Sequence, residues 1–311
     1  MLFKSTAQGL LQVGASPRRR LQRLRENSIA VVLGAAAFSC VLITFGIVAT
    51  LVLESAPFFR HVSLWEFFTD TLWTPLFSEP RYGILALISG TMMTTLVALA
   101  IALPAGTIIA IYLSEFAPAR FREGVKPVLE LLSAVPTVVY GYFALLVVTP
   151  ALQKLLPNLP HFSILSAGMV MGVMIIPYVS SLSEDAMRSV PAILREGSYA
   201  LGASRLGTAV QVVYPAALSG IAASYVLAIS RAVGETMIVA IAAGLQPKFT
   251  VNPMESAATI SAFIVQVSLG DLPHGSIGYQ SIFAAGITLF LITLGFNIGG
   301  HWLRRRFREA Y

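Results

Sequence analysis

The sequence predicts an all-α integral membrane protein with six transmembrane helices. Of its 311 residues, 56% are hydrophobic and only 12% are charged, and the mean hydropathy is +0.77. These values exclude an ordinary soluble domain. Six apolar runs are close to or longer than the ~20 residues that a helix needs to cross about 30 Å of hydrocarbon. Lysine and arginine are concentrated in alternate connecting segments, which is typical of a multi-pass protein.

We group the six apolar runs and the segments around them into four regions of the chain. We expect a polar N-terminal segment over residues 1–27, a first span and loop over 28–82, five further spans over 83–303, and a basic tail over 304–311. The first run is longer than the ~7–15 residues of a signal-peptide core, so we expect a span that is not cleaved. The predicted spans are 28–53, 83–113, 128–152, 164–182, 214–245 and 279–303.

The distribution of positive charge predicts the orientation of the chain. Sixteen of the 21 lysines and arginines fall in the terminal segments and in alternate loops, four fall in the opposite loops, and Arg231 lies within a span. This fourfold bias predicts that both termini are cytoplasmic. The charges are scattered among four loops rather than gathered on one face, so we expect no nucleic-acid partner.

One extracytoplasmic loop, over residues 246–278, contains the signals of a short helix. Asn252, Pro253 and Glu255 fit a cap, a first helical residue and a capping-box partner, and Gly270 fits the end of the helix. The predicted helix is too short to span the membrane. It either lies at the outer mouth of a pathway or packs there for stability alone.

A polar and interrupted segment over residues 191–215 lies between two apolar runs, so we expect it outside the lipid. Pro191 suits a first helical turn because it lacks only an N–H that would be unpaired there. Gly202 tolerates the left-handed conformation that closes a helix. The segment therefore predicts a short helix over 191–201 that turns back toward the membrane at 203–205.

The spacing of Glu196, Gly202 and Pro215 resembles the cytoplasmic coupling loop of ABC-type importer permeases. The resemblance implies a type I ABC importer permease architecture, in which this coupling helix docks into a cleft of a separate ATPase subunit. It assigns the contact with the ATPase to Glu196, Ala200, Leu201, Gly202 and Ala203. The alternative is a surface helix-turn with a glycine stop and no partner.

Arg231 and Glu235 stand four residues apart in the fifth apolar run, on one face of a predicted helix. Charges within a membrane cost at least ~2.5 kcal/mol and normally face a bundle interior or cavity. Arg231 is the only cation in any predicted span, and its guanidinium suits bidentate recognition of an oxyanion. We expect Arg231 to line the substrate pathway, with Glu235 orienting it and limiting the tightness of binding. A structural ion pair that fixes helix packing is the alternative.

The stretch RAVGETM from Arg231 to Met237, followed by Gly244, resembles the signature of phosphate-specific ABC transporter permeases, and residues 114–145 and 289–300 support the likeness. The likeness begins near residue 83 and favours the first of the two phosphate permease subunits, the PstC type. Sulfate and molybdate permeases, the alternative, differ after the glutamate, so Thr236 and Met237 decide the choice. The resemblance implies a bacterial cytoplasmic-membrane complex, surrounded by lipid, that imports phosphate. Its other members would be a second phosphate permease subunit, a dimer of ATP-binding cassette ATPases and an extracytoplasmic phosphate-binding protein.

We expect no catalytic residues in this chain. The sequence contains no G-x-x-x-x-G-K-[ST] phosphate-binding loop, so a partner would hydrolyse ATP. The four histidines have no carboxylate or cysteine companions, so we predict neither a metal nor another cofactor. Two other classes stay open. An ion-coupled secondary transporter would show inverted repeats and several intramembrane carboxylates, and a membrane scaffold or sensor would not need Arg231.

Overall fold

The computed structural model describes residues 17–75, 77–273 and 275–306, and these are almost entirely helical. Much of the predicted N-terminal segment and residues 307–311 of the predicted tail lie outside the described residues. The helices are α1 Pro17–His61, α2 Leu64–Thr69, α3 Leu85–Phe116, α4 Ala119–Ala134, α5 Thr137–Leu155, α6 Ile164–Arg188, α7 Ala192–Ala200, α8 Arg205–Ala216, α9 Leu218–Val233, α10 Met237–Ala242, α11 Ile260–Gly270 and α12 Ile277–Arg306.

The chain forms two compact units, Met1–Leu53 and Glu54–Tyr311. The described residues of the first unit belong to α1, and their large apolar side chains, such as Phe38 and Phe45, are exposed. An apolar helix with an exposed surface on all sides suits lipid as its surroundings. The second unit contains the helix bundle and the candidate site.

The described residues agree with the predicted number of spans. Five helices are long and apolar enough to cross a membrane, and α8 with α9, a pair bent by 72°, makes six when the pair is counted as one span. The bend follows Pro215, which has no N–H for the helical ladder and whose ring clashes with the preceding turn. A π-helical turn over Ala209–Val213 precedes the proline. The fifth predicted span is therefore a chain of three helices, α8, α9 and α10, rather than one continuous helix.

The third predicted span begins later than the sequence indicated. Residues 119–134 form a separate amphipathic helix, α4, and the span α5 begins at Thr137. The two helices are separated at Val135, whose backbone is extended with ψ 131°. Pro136 causes this break, because a proline disfavours the helical conformation of the residue before it.

The centre of the second unit is the close crossing of α3 and α6. Glycines allow the two backbones to approach: a Cβ atom on Gly168 would stand 2.7 Å from Val97 Cβ, and one on Gly172 would stand 2.8 Å from the Ala98 carbonyl oxygen. Both distances are too short for real contacts, so only glycine fits at these positions. The crossing makes α3 and α6 one tightly packed pair, and much of the largest apolar core cluster surrounds it.

The predicted helix of the 246–278 loop is wrong at its start and right at its end. Thr259, rather than Asn252, caps α11, which ends at Gly270 with φ +109°. The carbonyls of Pro253 and Glu255 instead accept hydrogen bonds from Leu165 N–H (2.7 Å) and Ile164 N–H (2.9 Å), the first N–H groups of α6. A helix over 253–259 would use these carbonyls in its own hydrogen bonds. They cap the N-terminus of α6 instead, and the helix predicted from the local sequence does not form.

The side chain of Glu255, predicted to complete a capping box, pairs with Lys248 instead. Lys248 Nζ donates to Glu255 Oε2 at 2.6 Å. This hydrogen bond is the main reason that the pKa of Glu255 is lower than usual. The loop thus closes the N-terminal end of α6, opposite the end that leads into α7.

Candidate functional site

The helix α7 forms an exposed projection at the C-terminal end of α6. The helix begins at Ala192, one residue later than predicted, and Pro191 is its N-cap. None of the residues of α7 is buried. The apolar side chains of Ile193 and Leu201 are 74% and 91% exposed. Exposed large apolar groups on a short helix are typical of a surface that binds another protein.

The end of α7 follows the prediction at Gly202. Its φ is +82°, a conformation that only glycine adopts without strain. Gly202 N–H donates to the Tyr199 carbonyl at 2.9 Å, and Ala203 N–H donates to the Ser198 carbonyl at 3.1 Å. This pair of bonds is a Schellman motif, which closes a helix and reverses the chain.

The five residues predicted to contact an ATPase occupy this exposed projection. All of them are exposed, and they lie together along the second half of α7 and its turn: Glu196, Ala200, Leu201, Gly202 and Ala203. The structure thus presents them on an accessible surface. Their contact with an ATPase stays a prediction.

Sequence reasoning missed the residues that hold this projection against the bundle. Arg195, on α7, donates from Nη2 to Glu115 Oε1 at 2.9 Å and from Nε to Glu115 Oε2 at 3.2 Å. Its remaining donors bind the carbonyls of Met187 (2.8 Å) and Val190 (2.7 Å) at the end of α6. After the turn, the Arg205 guanidinium lies 5.3 Å from the centre of the Phe116 ring. Glu115 and Arg195 are 80 positions apart, so no local pattern could have indicated their contact.

Arg231 lies in the last turn of α9, where its positive charge suits the helix C-terminus. Its guanidinium stacks on the ring of Tyr178 of α6 at 4.7 Å from the ring centre. The Nε atom is buried and has no hydrogen-bond partner. Among the described residues no carboxylate forms an ion pair with Arg231.

The predicted pairing of Glu235 with Arg231 is wrong. The helix α9 ends at Val233, and Glu235 lies in the break before α10, so the two side chains do not share a helical face. Glu235 is buried, and its Oε1 accepts a long hydrogen bond of 3.5 Å from Ile238 N–H. Its carbonyl accepts from Ser261 Oγ at 2.7 Å, which connects the break to α11. The carboxylate therefore lies toward the start of α10, and no ion pair joins it to Arg231.

The break between α9 and α10 gives the fifth predicted span the form of a discontinuous helix. Such breaks are tolerated in membranes only where protein or a water-filled cavity surrounds the freed backbone groups. An unpaired arginine beside a break is suited to bind an anion that passes through the bundle. Within the described residues no group of three His, Cys, Asp or Glu side chains is placed to hold a metal ion.

Comparison with known proteins agrees with this geometry. Residues 102–309 match the family described as binding-protein-dependent transport system inner membrane component. The chain is 36% identical over 245 residues to the probable ABC transporter permease protein YqgH of Bacillus subtilis, a match that covers 79% of each chain. It is 33% identical over 250 residues to the phosphate transport system permease protein PstC of Mesorhizobium japonicum, covering 73% of this chain and 74% of that protein.

Solved structures share the fold at low sequence identity. A bacterial ABC transporter of alginate, in complex with its pentasaccharide-bound periplasmic protein, has a chain that is 17% identical with a TM-score of 0.64. The match covers 94% of this chain and 100% of that one. A chain of the methionine ABC transporter MetNI is 16% identical with a TM-score of 0.55, covering 73% of this chain and 95% of that one. These likenesses confirm the predicted fold class, the type I ABC importer permease architecture.

Proposed function

Because this chain belongs to the family of binding-protein-dependent transport system inner membrane components, we propose that it is the permease subunit of an importer that translocates inorganic phosphate. The importer is driven by ATP that a separate dimer of ATP-binding cassette ATPases hydrolyses. The other members of the complex are a second phosphate permease subunit and an extracytoplasmic phosphate-binding protein.

The exposed projection of α7 supports the contact with the ATPase. Its side chains present apolar area from Ile193 and Leu201, and Glu196 adds a charge beside them. A rigid helix end with apolar anchors and a polar rim is the usual composition of a protein-binding surface. In this proposal α7 is the coupling helix and both termini of the chain are cytoplasmic, in agreement with the positive-inside bias.

The single observation that carries the anion specificity is the charge of Arg231, which pairs with no carboxylate among the residues that the structure describes. A guanidinium held on the Tyr178 ring, with a buried Nε that lacks a partner, is preorganised to donate to an oxyanion. Phosphate is the oxyanion favoured by the relatives named as phosphate permeases. Sulfate or molybdate is the second candidate, because the same donors suit any tetrahedral oxyanion.

Substitution of Arg231 in the reconstituted complex tests this proposal. Arg231→Gln keeps length and polarity but removes the charge, and the loss of a charge-assisted hydrogen bond predicts a roughly 10- to 100-fold fall in phosphate uptake. Arg231→Lys restores the charge without the forked donors, so we expect only partial rescue. The matched control is Arg81→Gln, which removes a cation that is 59% exposed and paired with Asp70.

Uptake is measured as labelled phosphate entering proteoliposomes that contain equal amounts of assembled complex, with sulfate and molybdate as competitors. Wild-type uptake in Arg231→Gln would assign this residue to helix packing and the pathway to the partner subunit. If sulfate or molybdate inhibits uptake at concentrations equal to that of the labelled phosphate, the result would favour the second candidate. Uptake that follows an ion gradient without ATP would favour a secondary transporter.

A further inference from the structure

Two arginines, one on each side of the turn after α7, contact the end of α3, and each of them contacts one of its last two residues. Arg195, before the turn, binds the Glu115 carboxylate with two hydrogen bonds, and Arg205, after it, stacks on Phe116. Ser198 and Thr208 join the two sides of the turn through a hydrogen bond of 2.9 Å between their hydroxyl oxygens. The projection is thus attached to one short segment of α3.

The Glu115–Arg195 pair differs from an ordinary surface ion pair. The Glu115 side chain is only 4% exposed and that of Arg195 is 19% exposed. Exposed pairs add little to stability because water and salt screen them, whereas a buried, bidentate pair keeps its geometry. Ser114 Oγ also donates to Glu115 Oε1 at 2.8 Å, so the carboxylate is held from two sides.

Glu115 lies in a π-helical turn, Tyr112–Phe116, that ends α3. Single π-turns within α-helices occur frequently at functional positions, because the extra residue redirects the side chains that follow. Here the turn places Glu115 beneath α7, whose own residues are not buried in the bundle. The carboxylate is therefore a polar side-chain attachment of α7 to α3, in addition to the apolar contact of Leu194 with the core cluster that includes Ala110.

The same arginine also contacts α6 through the carbonyls of Met187 and Val190. The helices α3 and α6 form the tightly packed pair that glycines bring together. Further along α6, Tyr178 carries the guanidinium of Arg231. A continuous series of contacts thus connects α7 to the candidate anion site.

We propose that Glu115 is a positioning residue that, through Arg195, fixes the coupling helix to the α3–α6 pair, so that displacement of α7 by the ATPase moves this pair as one body. The proposal rests on the proposed function of the chain as an importer permease. It adds that coupling depends on an attachment inside this chain, in addition to the exposed residues that face the ATPase.

Glu184 provides a matched control at the same end of the bundle. Its side chain is 1% exposed and lies 3.0 Å from Lys126 Nζ, 3.6 Å from Arg188 and 3.9 Å from Arg122. Burial works to lower the pKa of Lys126, but the hydrogen bonds that its Nζ donates to Asp185 and Glu184 outweigh this effect, and the pKa is raised. Glu184 therefore attaches α4 to α6, whereas Glu115 attaches α7 to α3.

The experiment compares Glu115→Gln, Arg195→Gln, the double variant and Glu184→Gln in complexes with the ATPase. In Glu115→Gln we expect the ATPase to remain bound and the ATP hydrolysed per phosphate transported to rise by about 5-fold or more, the lower end of usual coupling effects. The double variant should be no worse than the worse single variant, because the two residues act as a pair. Glu184→Gln should keep the wild-type ratio, even if its stability falls.

Spin labels give a second readout that uses no phosphate. Cysteines replace the exposed Ala192 on α7 and Ile108 on α3, in a Cys40→Ser background, because Cys40 is the single cysteine of the chain. With the native pair, the label distance should be the same with and without nucleotide. In Glu115→Gln the distribution should broaden and change with nucleotide.

The proposal would be overturned by an unchanged label distance with a wild-type hydrolysis ratio in Glu115→Gln, or by an equal rise of the ratio in Glu184→Gln. If Glu115→Gln does not accumulate, Arg195→Lys keeps a charge beside Glu115 and should still broaden the label distance. An unchanged distance there would also overturn it. Failure of the phosphate assignment is distinguishable, because the wild type and the Glu184 control would then also show no uptake while the label distances still report the attachment.

Discussion

Replacement of Gly202 by alanine isolates the backbone requirement of the coupling helix. At Gly202 φ is +82°, and no heavy atom stands within 4 Å of where a Cβ would be. Alanine therefore meets no steric obstacle within the chain, and its cost is the backbone strain of the left-handed conformation, about 1–2 kcal/mol. A cost of this size lowers the population of the closed turn by up to about 30-fold.

Gly197 is the matched control for this substitution. It also lies on α7, is exposed, and has no heavy atom within 4 Å of where a Cβ would be, but its backbone is helical. Alanine at this position should stabilise the helix by about 0.5–1 kcal/mol. The same change, glycine to alanine, thus has opposite expected signs at two positions that are five residues apart.

The assay is a titration of the ATPase onto the permease in nanodiscs, with bound ATPase measured at each concentration. The apparent affinity falls by the fraction of permease in the docking conformation. We therefore expect Gly202→Ala to weaken binding by up to about 30-fold and Gly197→Ala to leave it unchanged or stronger. Equal weakening in both variants would point to steric contact with the ATPase, and unchanged binding in Gly202→Ala would refute the backbone argument.

Three further predictions concern coupling, orientation and packing. Glu196→Lys should abolish uptake while the chain remains inserted, since it reverses the charge on the docking surface; full uptake with normal recovery of the ATPase would contradict this. In a Cys40→Ser background, a cysteine at the exposed Ile193 should react only with reagents on the cytoplasmic side and one at the exposed Val251 only with reagents outside, and any reversal would break the six-span topology. Gly172→Ala should lower thermal stability by about 1–3 kcal/mol, because its Cβ would stand 2.8 Å from the Ala98 carbonyl. Gly124→Ala on α4, which has open space, should not lower it.

The parts of the fold that depend on local chemistry could be predicted from the sequence. Gly202 tolerates the left-handed conformation that ends a helix better than any other residue type, so the end of α7 was predictable. The apolar runs likewise give the spans, because the thickness of the hydrocarbon sets their length. The glycine at position 270 ends α11 for the same local reason.

The parts that depend on distant contacts could not be predicted. Asn252 and Pro253 carry a valid helix-start signal, but the N-terminus of α6 takes the carbonyls that a helix would need. The four-residue spacing of Arg231 and Glu235 indicates a shared face only while the helix continues, and it ends at Val233. The contact of Glu115 with Arg195 joins positions that are 80 apart, so no pattern within either segment could indicate it.

Copurification from native membranes most directly tests whether this chain is the permease of an ATP-driven importer. An affinity tag on the chain, followed by mild detergent extraction, should recover two copies of an ATP-binding cassette ATPase and one copy of a second permease subunit. Hydrolysis of ATP by this complex should increase when phosphate-loaded binding protein is added. Recovery of the chain alone, or as a homodimer without any ATPase, would contradict the account.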